Sequence, residues 1–323
     1  MPQRRPPQRA SGAANAYMRA MRPASETAPH LVFDRALLRR RLARAAALGP
    51  ETFLLERAAE DVADRLSAVK RTFTTAVDLG TPTAALANAL SGHPAVERLI
   101  RAAPLAGGPV PPAVVADEEA LPFAPGSLDL VLSALALQSV NDLPGVLAQV
   151  RRALKPDGLF MAALLGGSSL TELRQAFAIA ESETTGGLSP RVAPFADVRD
   201  LGALLQRAGF ALPVTDVDRV VVRYSSPFTL FADLRRMGGA NALNERRRVP
   251  LRRATLLRAA EVYAGRFADP DGKVRATFEI VFLSGWAPHE SQQKPLRPGT
   301  ARMRLADALK VPEQPLPPGD EPG

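Results

Sequence analysis

The chain has 323 residues, 46% of them hydrophobic and 23% charged, a balance that describes a folded core rather than a disordered polymer. It has no cysteine and three histidines, His30, His93 and His289, which excludes disulfide scaffolds, thiolate metal sites and cysteine nucleophiles and leaves no H-E-x-x-H pair; no metal site is expected. The formal net charge is +8, yet residues 1–57 alone hold eleven arginines, no lysine and four acids, so the remainder is nearly neutral.

A second arginine cluster runs through Arg246, Arg247, Arg248, Arg252, Arg253 and Arg258. Aromatic residues are only 5% of the chain and do not alternate with these cations. The stacking surfaces of single-strand binders are therefore missing, and no nucleic-acid partner is expected. The best apolar run, residues 130–137, is strand-sized and well short of the roughly 18 residues of a membrane span.

In chain order, residues 1–30 are rich in Pro, Arg, Ala and Gln and read as a disordered basic tail. The same composition suits a mitochondrial presequence, but Pro2, Pro6, Pro7 and Pro23 oppose the amphipathic helix such a signal needs. Leu54, Leu55, Ala58, Val62, Leu66 and Val69 recur at helical spacing. The β-like run Thr74-Thr75-Ala76-Val77-Asp78-Leu79-Gly80 follows, then a helix over 82–90 with Thr81 as its N-cap and Pro82 in its first turn. Strands are predicted at the apolar pair Leu99-Ile100, at 114–117 and at 128–133. A helix over 142–153 is closed by the turn Lys155-Pro156-Asp157-Gly158 and followed by a buried strand, 159–164. Further on come helices over 170–182 and 198–208, a half-exposed strand at 217–224, helices over 227–237 and 251–267, and a last strand, 276–286. Proline crowds residues 311–323, so the end of the chain reads as unstructured. Short apolar strands alternating with helices predict an α/β fold on a largely parallel sheet.

Ligands of such a sheet sit beyond the carboxyl ends of its strands. Four strand ends carry motifs in order over residues 77–158: Val77-Asp78-Leu79-Gly80, Asp117-Glu118-Glu119-Ala120-Leu121-Pro122-Phe123, Leu128-Asp129-Leu130-Val131 and Leu154-Lys155-Pro156-Asp157-Gly158. Together they resemble the class I S-adenosylmethionine-dependent methyltransferases. Phe33-Asp34-Arg35, Val140-Asn141-Asp142-Leu143-Pro144, the run 202–210 and the closing Gly285-Trp286 with His289-Glu290-Ser291-Gln292 resemble one branch of that family. That branch is the complex I assembly-factor type, whose mitochondrial member is an arginine hydroxylase acting on a complex I subunit. The malonyl-carrier-protein O-methyltransferase of biotin synthesis is a more distant relative.

The resemblance implies a Rossmann-like methyltransferase sheet with N-terminal helices and a helical insertion after strand five. It divides the chain into a tail (1–30), a domain (31–292) with its cofactor half at about 70–165, and an extended tail (293–323). It implies S-adenosyl-L-methionine as cofactor. Asp78 and Gly80 would be the remnant of the cofactor loop, Asp117 would accept from the adenine amine with Glu118 beside it, and Ser133 and Gln138 would face the methionine and substrate side. It names no catalytic residue. His289 reads equally as a packed surface histidine, and Asp129 as a solvated strand position. The implied substrate is a protein or carrier-protein-bound group, and the implied partner is a protein, a complex I subunit. The expected location is the cytoplasm, or the mitochondrial matrix for a eukaryotic source.

Two departures bear on the cofactor. The family's loop reads Asp-x-Gly-x-Gly-x-Gly, whereas here Pro82 and Ala84 stand at the second and third glycine positions. Proline at φ near −65° cannot take the backbone shapes a bare glycine allows beside a ligand. No acid follows Leu99-Ile100 to take the ribose hydroxyls; Arg101 or Ala102 stands there. Each lost charge-assisted bond is worth about 1.5–3 kcal/mol, which moves expected binding from the micromolar toward the millimolar range. The alternative reading is a non-catalytic assembly factor that no longer binds the cofactor tightly.

Overall fold

The computed structural model describes residues 31–106 and 113–293. The expected tails, residues 1–30 and all but the first residue of 293–323, lie outside the described residues. The helices are α1 (Arg35–Ala47), α2 (Phe53–Ser67), α3 (Ala85–Ala89), α4 (Leu143–Ala153), α5 (Thr171–Thr185), α6 (Val198–Arg207), α7 (Pro227–Arg236) and α8 (Arg253–Phe267). The strands are β1 (Ala76–Leu79), β2 (Leu99–Ala103), β3 (Val114–Val115), β4 (Leu128–Ala134), β5 (Leu154–Leu165), β6 (Ala211–Tyr224) and β7 (Val274–Trp286).

Among the described residues they form one seven-stranded sheet in the order β3-β2-β1-β4-β5-β7-β6. The first five are mutually parallel, and β7 lies antiparallel between β5 and β6. The α/β expectation therefore holds, with the sheet extended by an antiparallel hairpin-like end. The apolar runs of β4 and β5 are buried on both faces because helices cover both. On one face Leu55, Leu66, Phe278 and Tyr263 pack from α2, β7 and α8; on the other Val146, Leu147, Leu201 and Leu205 pack from α4 and α6.

Several boundaries moved for identifiable reasons. The helix expected over 82–90 shrinks to α3, because Thr81 is not its cap: the Thr81 hydroxyl accepts from Ala134 N–H (3.1 Å), binding the loop to β4. The Thr83 hydroxyl accepts from Ala85 N–H (3.2 Å) instead. The turn 155–158 is a wide bulge inside β5, since Leu128 pairs with Leu154 and Leu130 with Leu159. Asp157 sits there at φ +62°, and the Arg71 guanidinium and Gln292 amide hold its carboxylate. Asp129 is not merely solvated; it accepts from Thr75 N–H (3.0 Å) and pairs with Lys155 (2.9 Å), stitching β4 to its neighbours. Helix α1 carries no apolar face toward the core, only Ala45 being buried, which is why periodicity did not reveal it.

The closing motif is structural. Gly285 lies against Phe210, where a Cβ would come 2.9 Å from the Phe210 Cβ. Phe210 stacks on Phe160 of β5 with ring centroids 5.5 Å apart. His289 is exposed and bonds locally to Ser291 (2.7 Å). The Gly285→Ala substitution is expected to force this aromatic pair apart and cost about 1–3 kcal/mol, read as a lowered melting temperature. An unchanged melting curve would show that Phe210 yields freely.

Candidate functional site

Strand β1 ends in Asp78-Leu79-Gly80, flanked by β2 and β4. Asp78 is 1% exposed and stands in register with Arg101 on β2. Arg101 Nε lies 3.4 Å from Asp78 Oδ2, while Asp78 Oδ1 has no hydrogen-bond partner. Burial pushes the Asp78 carboxyl up to about 6, the Thr81 hydroxyl and the Arg101 guanidinium pulling the other way. Arg101 Nη2 donates to the Thr83 carbonyl at 2.7 Å, and the Thr81 carbonyl lies at 3.5 Å. Arg101, one of the two positions at which the resemblance implies a ribose acid, thus holds the loop that follows Gly80. Beyond it the end of β2 continues Ala102-Ala103-Pro104, with no carboxylate.

Gly80 adopts φ +76° and donates to the Ala102 carbonyl (2.7 Å). A Cβ at this position would lie 2.9 Å from Glu118 Cγ and 3.1 Å from Ala136 Cβ, so only glycine fits. Glu118 is 4% exposed, which demands a cation. Arg35, at the start of α1, supplies it: its Nη2 bonds Glu118 Oε2 and Asp117 Oδ1 (2.8 Å), and its Nη1 donates to the Ser139 carbonyl (3.2 Å). Arg39, one turn on, bonds the other Asp117 oxygen. Partial burial opposes ionisation of Asp117, but the Glu119 N–H and the two guanidinia outweigh it and hold the carboxyl below its usual range.

These groups wall a cavity of about 140 Å³ beyond the strand ends, lined by Arg35, Gly80, Glu118, Ala136 and, across from them, Arg191 and Phe195. A second chamber of about 140 Å³ shares the walls Leu42, Pro82, Leu135, Leu165 and Leu170 and runs apolar toward Leu54, Leu55 and Phe278. Leu135 (φ +47°) and Leu170 (φ +55°) both hold the left-handed conformation that bulky residues avoid, and both line the two chambers. Backbone strain of this kind concentrates at ligand sites. The segment carrying Arg191 to Phe195 is anchored by Glu181 of α5, which accepts from Ser189 N–H (2.7 Å) and pairs with Arg191.

Of the residues expected at the site, Gly80 and Glu118 line the cavity, and Asp117 stands behind Arg35 and Arg39. Asp78 lies beneath the loop rather than at the wall. Ser133 is fully buried and donates to the Leu79 carbonyl (2.7 Å), so its hydroxyl fastens β4 to β1 and does not face a substrate. Gln138 donates to the Leu135 carbonyl (2.8 Å) and keeps Oε1 buried without a partner. Arg35 and Arg39 were missed as site residues. Their spacing of four puts both on one helix face, a signal that could have matched them to the adjacent carboxylates Asp117 and Glu118. Among the described residues no group of three His, Asp or Glu side chains is placed to hold a metal.

A methyltransferase-domain family model matches residues 59–162. The chain is 41% identical over 291 residues to the mitochondrial arginine-hydroxylase NDUFAF5 of Danio rerio, spanning 87% of this chain and 90% of that one. It is 38% identical over 310 residues to the Homo sapiens protein of the same name, spanning 92% and 89%. It is also 42% identical over 189 residues to a malonyl-[acyl-carrier protein] O-methyltransferase of Laribacter hongkongensis, spanning 58% and 61%.

Asp78 has a testable signature. It ionises more readily in the unfolded chain than in the folded one, so the folded state keeps the extra proton between about 3.8 and about 6. Stability therefore falls as pH rises through that window, by up to about 3 kcal/mol. Thermal melts from pH 4.5 to 6.5 should show this decline in the wild type and lose it in Asp78→Asn; identical profiles would mean that Asp78 is already ionised at the low end.

Proposed function

The chain belongs to the family of the arginine-hydroxylase NDUFAF5 proteins, and on that premise we propose that it is a modifying enzyme for a protein or carrier-protein-bound substrate, with S-adenosyl-L-methionine seated at the strand-end cavity. The observation that carries this reading is the meeting of Gly80, Glu118 and Arg35, the last bonded to Asp117, at one cavity beyond the ends of β1, β3 and β4. The residues fit such a cofactor on the adenine side. Gly80 keeps the wall free of a side chain, and Asp117, held behind it by Arg35 and Arg39, is the carboxylate that the adenine amine would take over. Gln138, whose buried Oε1 has no partner, directly precedes Ser139 of the cavity lining. The ribose side offers no carboxylate, and Pro82 stiffens the loop, so the affinity we infer is low.

When bound, the cofactor supplies an activated, electrophilic methyl group. Orientation and exclusion of water are then what the chain must provide, rather than a strong base. Arg35 and Arg39 close the α1 side, Phe195 and Arg191 the opposite side, and the apolar second chamber takes the uncharged part of a substrate. The NDUFAF5 relatives are named for arginine hydroxylation and the Laribacter relative for methylation of a carrier-protein-bound malonyl group; we infer a target within these classes, and a complex I subunit as the partner. Among the described residues no helix is long and apolar enough to cross a membrane. The NDUFAF5 relatives are named mitochondrial, and we infer the matrix, or the cytoplasm of a bacterial source.

Calorimetric titration with S-adenosylmethionine and S-adenosylhomocysteine tests the reading. Ligand at a hundred times its Kd should add about 2.7 kcal/mol of stability in a melting curve. Asp117→Ala should weaken binding about tenfold or more, the worth of one charge-assisted bond. Arg39→Gln, which frees an Asp117 oxygen for the adenine amine, should tighten it severalfold. No binding at millimolar ligand would overturn the proposal and leave a scaffold that holds its partner without the cofactor.

A further inference from the structure

Helix α1 and the segment 241–248 each have two sides. Inward, Leu38 and Leu42 of α1 and Asn241, Ala242 and Leu243 line the cavity. Outward, Arg40, Arg44, Arg247 and Arg248 are exposed, and Arg41 and Arg246 are half-buried between them. Arg246 pairs with Asp34 at 3.1 Å, and the only other acid of these two segments is Glu245. The arginines press on one another: burial first, then Arg246 and Arg44, make the Arg41 guanidinium easier to deprotonate than usual, with Asp34 opposing. Arginines on the far sheet edge are used differently. Arg57 pairs with Asp218 (2.9 Å), Arg65 with Asp216 (2.5 Å), and Arg223 with Asp269 (2.7 Å) and Asp271 (2.5 Å). There the charge is matched within the fold. On the outer side of α1 and 241–248 six arginines face two acids, Asp34 and Glu245.

We propose that this collar of Arg40, Arg41, Arg44, Arg246, Arg247 and Arg248 docks the acidic face of a partner protein and leads the partner's target side chain into the cavity. The proposal rests on the cavity being the reacting site. Mutual repulsion in the collar is a standing cost that an acidic surface relieves, and a one-signed field at a cleft mouth raises the rate of encounter. The neighbouring exposed apolar residues, Leu31 (50%), Leu48 (51%) and Val249 (58%), suit a protein interface, where isolated apolar contacts sit among charges. No aromatic side chain stands in the collar to stack a base. Leu38 and Leu42 of α1 turn into the cavity, and the outward side carries Arg40 and Arg44 rather than an apolar face to lay on a lipid surface.

The test uses the full chain without cofactor, so that its failure is distinct from failure of the cofactor titration. A fluorescent, Glu- and Asp-rich helical peptide is titrated by anisotropy at several salt concentrations. Wild type should bind, more weakly as salt rises. The triple variant Arg40→Glu, Arg44→Glu, Arg247→Glu should lose about tenfold or more in affinity. Its melting temperature should hold or rise as repulsion falls, and it should gain binding to a Lys-rich peptide of the same length. Arg207→Glu, at an exposed position of α6, should change nothing. Equal affinity of wild type and the triple variant would overturn the proposal. So would tighter binding of wild type to phosphatidylserine vesicles or single-stranded RNA than to the acidic peptide.

Discussion

A carboxylate without access to water stands near the carboxyl end of β1, an interior strand of the sheet, and the geometry of the cavity depends on how it is neutralised. Asp78 is enclosed by parallel pairing on both sides, and Arg101 is its register partner on β2. One edge of that guanidinium faces the carboxylate, and another holds the Thr83 carbonyl. The loop 80–84 is therefore shaped by a cation beneath it rather than by glycines within it. That is how Pro82 and Ala84 are accommodated while Gly80 still meets Glu118. Removing one partner of such a pair leaves an uncompensated buried charge, a loss of about 3–5 kcal/mol, so strand, loop and cavity wall stand or fall together.

The two walls of the cavity are held by forces of different kind. Segment 189–195 is anchored by Glu181, which is 1% exposed, through Ser189 and Arg191. Helix α1 buries only Ala45 and is held instead by Arg35 and Arg39 on Asp117 and Glu118, by Asp34 on Arg246, and by Asn141 receiving Phe33 N–H at 2.8 Å. Polar contacts of this sort, with little apolar burial behind them, mark segments that open at low free-energy cost. One wall is thus built into the core and the other rests on exchangeable ion pairs. This asymmetry is what the proposed seating of a cofactor and a macromolecular substrate at one cavity would use.

Arginine has three physical uses in this chain. Buried or half-buried, in Arg101, Arg191 and Arg35, it satisfies carboxylates that the fold encloses. On the far sheet edge it is matched by surface aspartates. On the outer side of α1 and of 241–248 it exceeds the acids of those segments. Counting residues registers all of these as one net charge of +8 and cannot separate them.

Apolar periodicity determined the strands and most of the helices, because burial on one face of a helix or both faces of a parallel strand leaves a local pattern in the chain. The motif spacing likewise determined that Gly80, Asp117 and Glu118 belong to one end of the sheet. Helix α1 left no such pattern, since Leu38 and Leu42 face a cavity and Arg35 and Arg39 face carboxylates some eighty positions away. Which hydroxyls are spent inside the fold, as at Thr81 and Ser133, was equally illegible, because strand register decides which carbonyl or amide lies within reach. Sequence alone determined the family, the sheet and the loss of the ribose acid. Only the tertiary structure decided that Arg101 braces the loop after Gly80, that Arg35 fills the carboxylate pair, and that Arg40, Arg44, Arg247 and Arg248 stay exposed, for charges interact through space and the chain order does not record their distances.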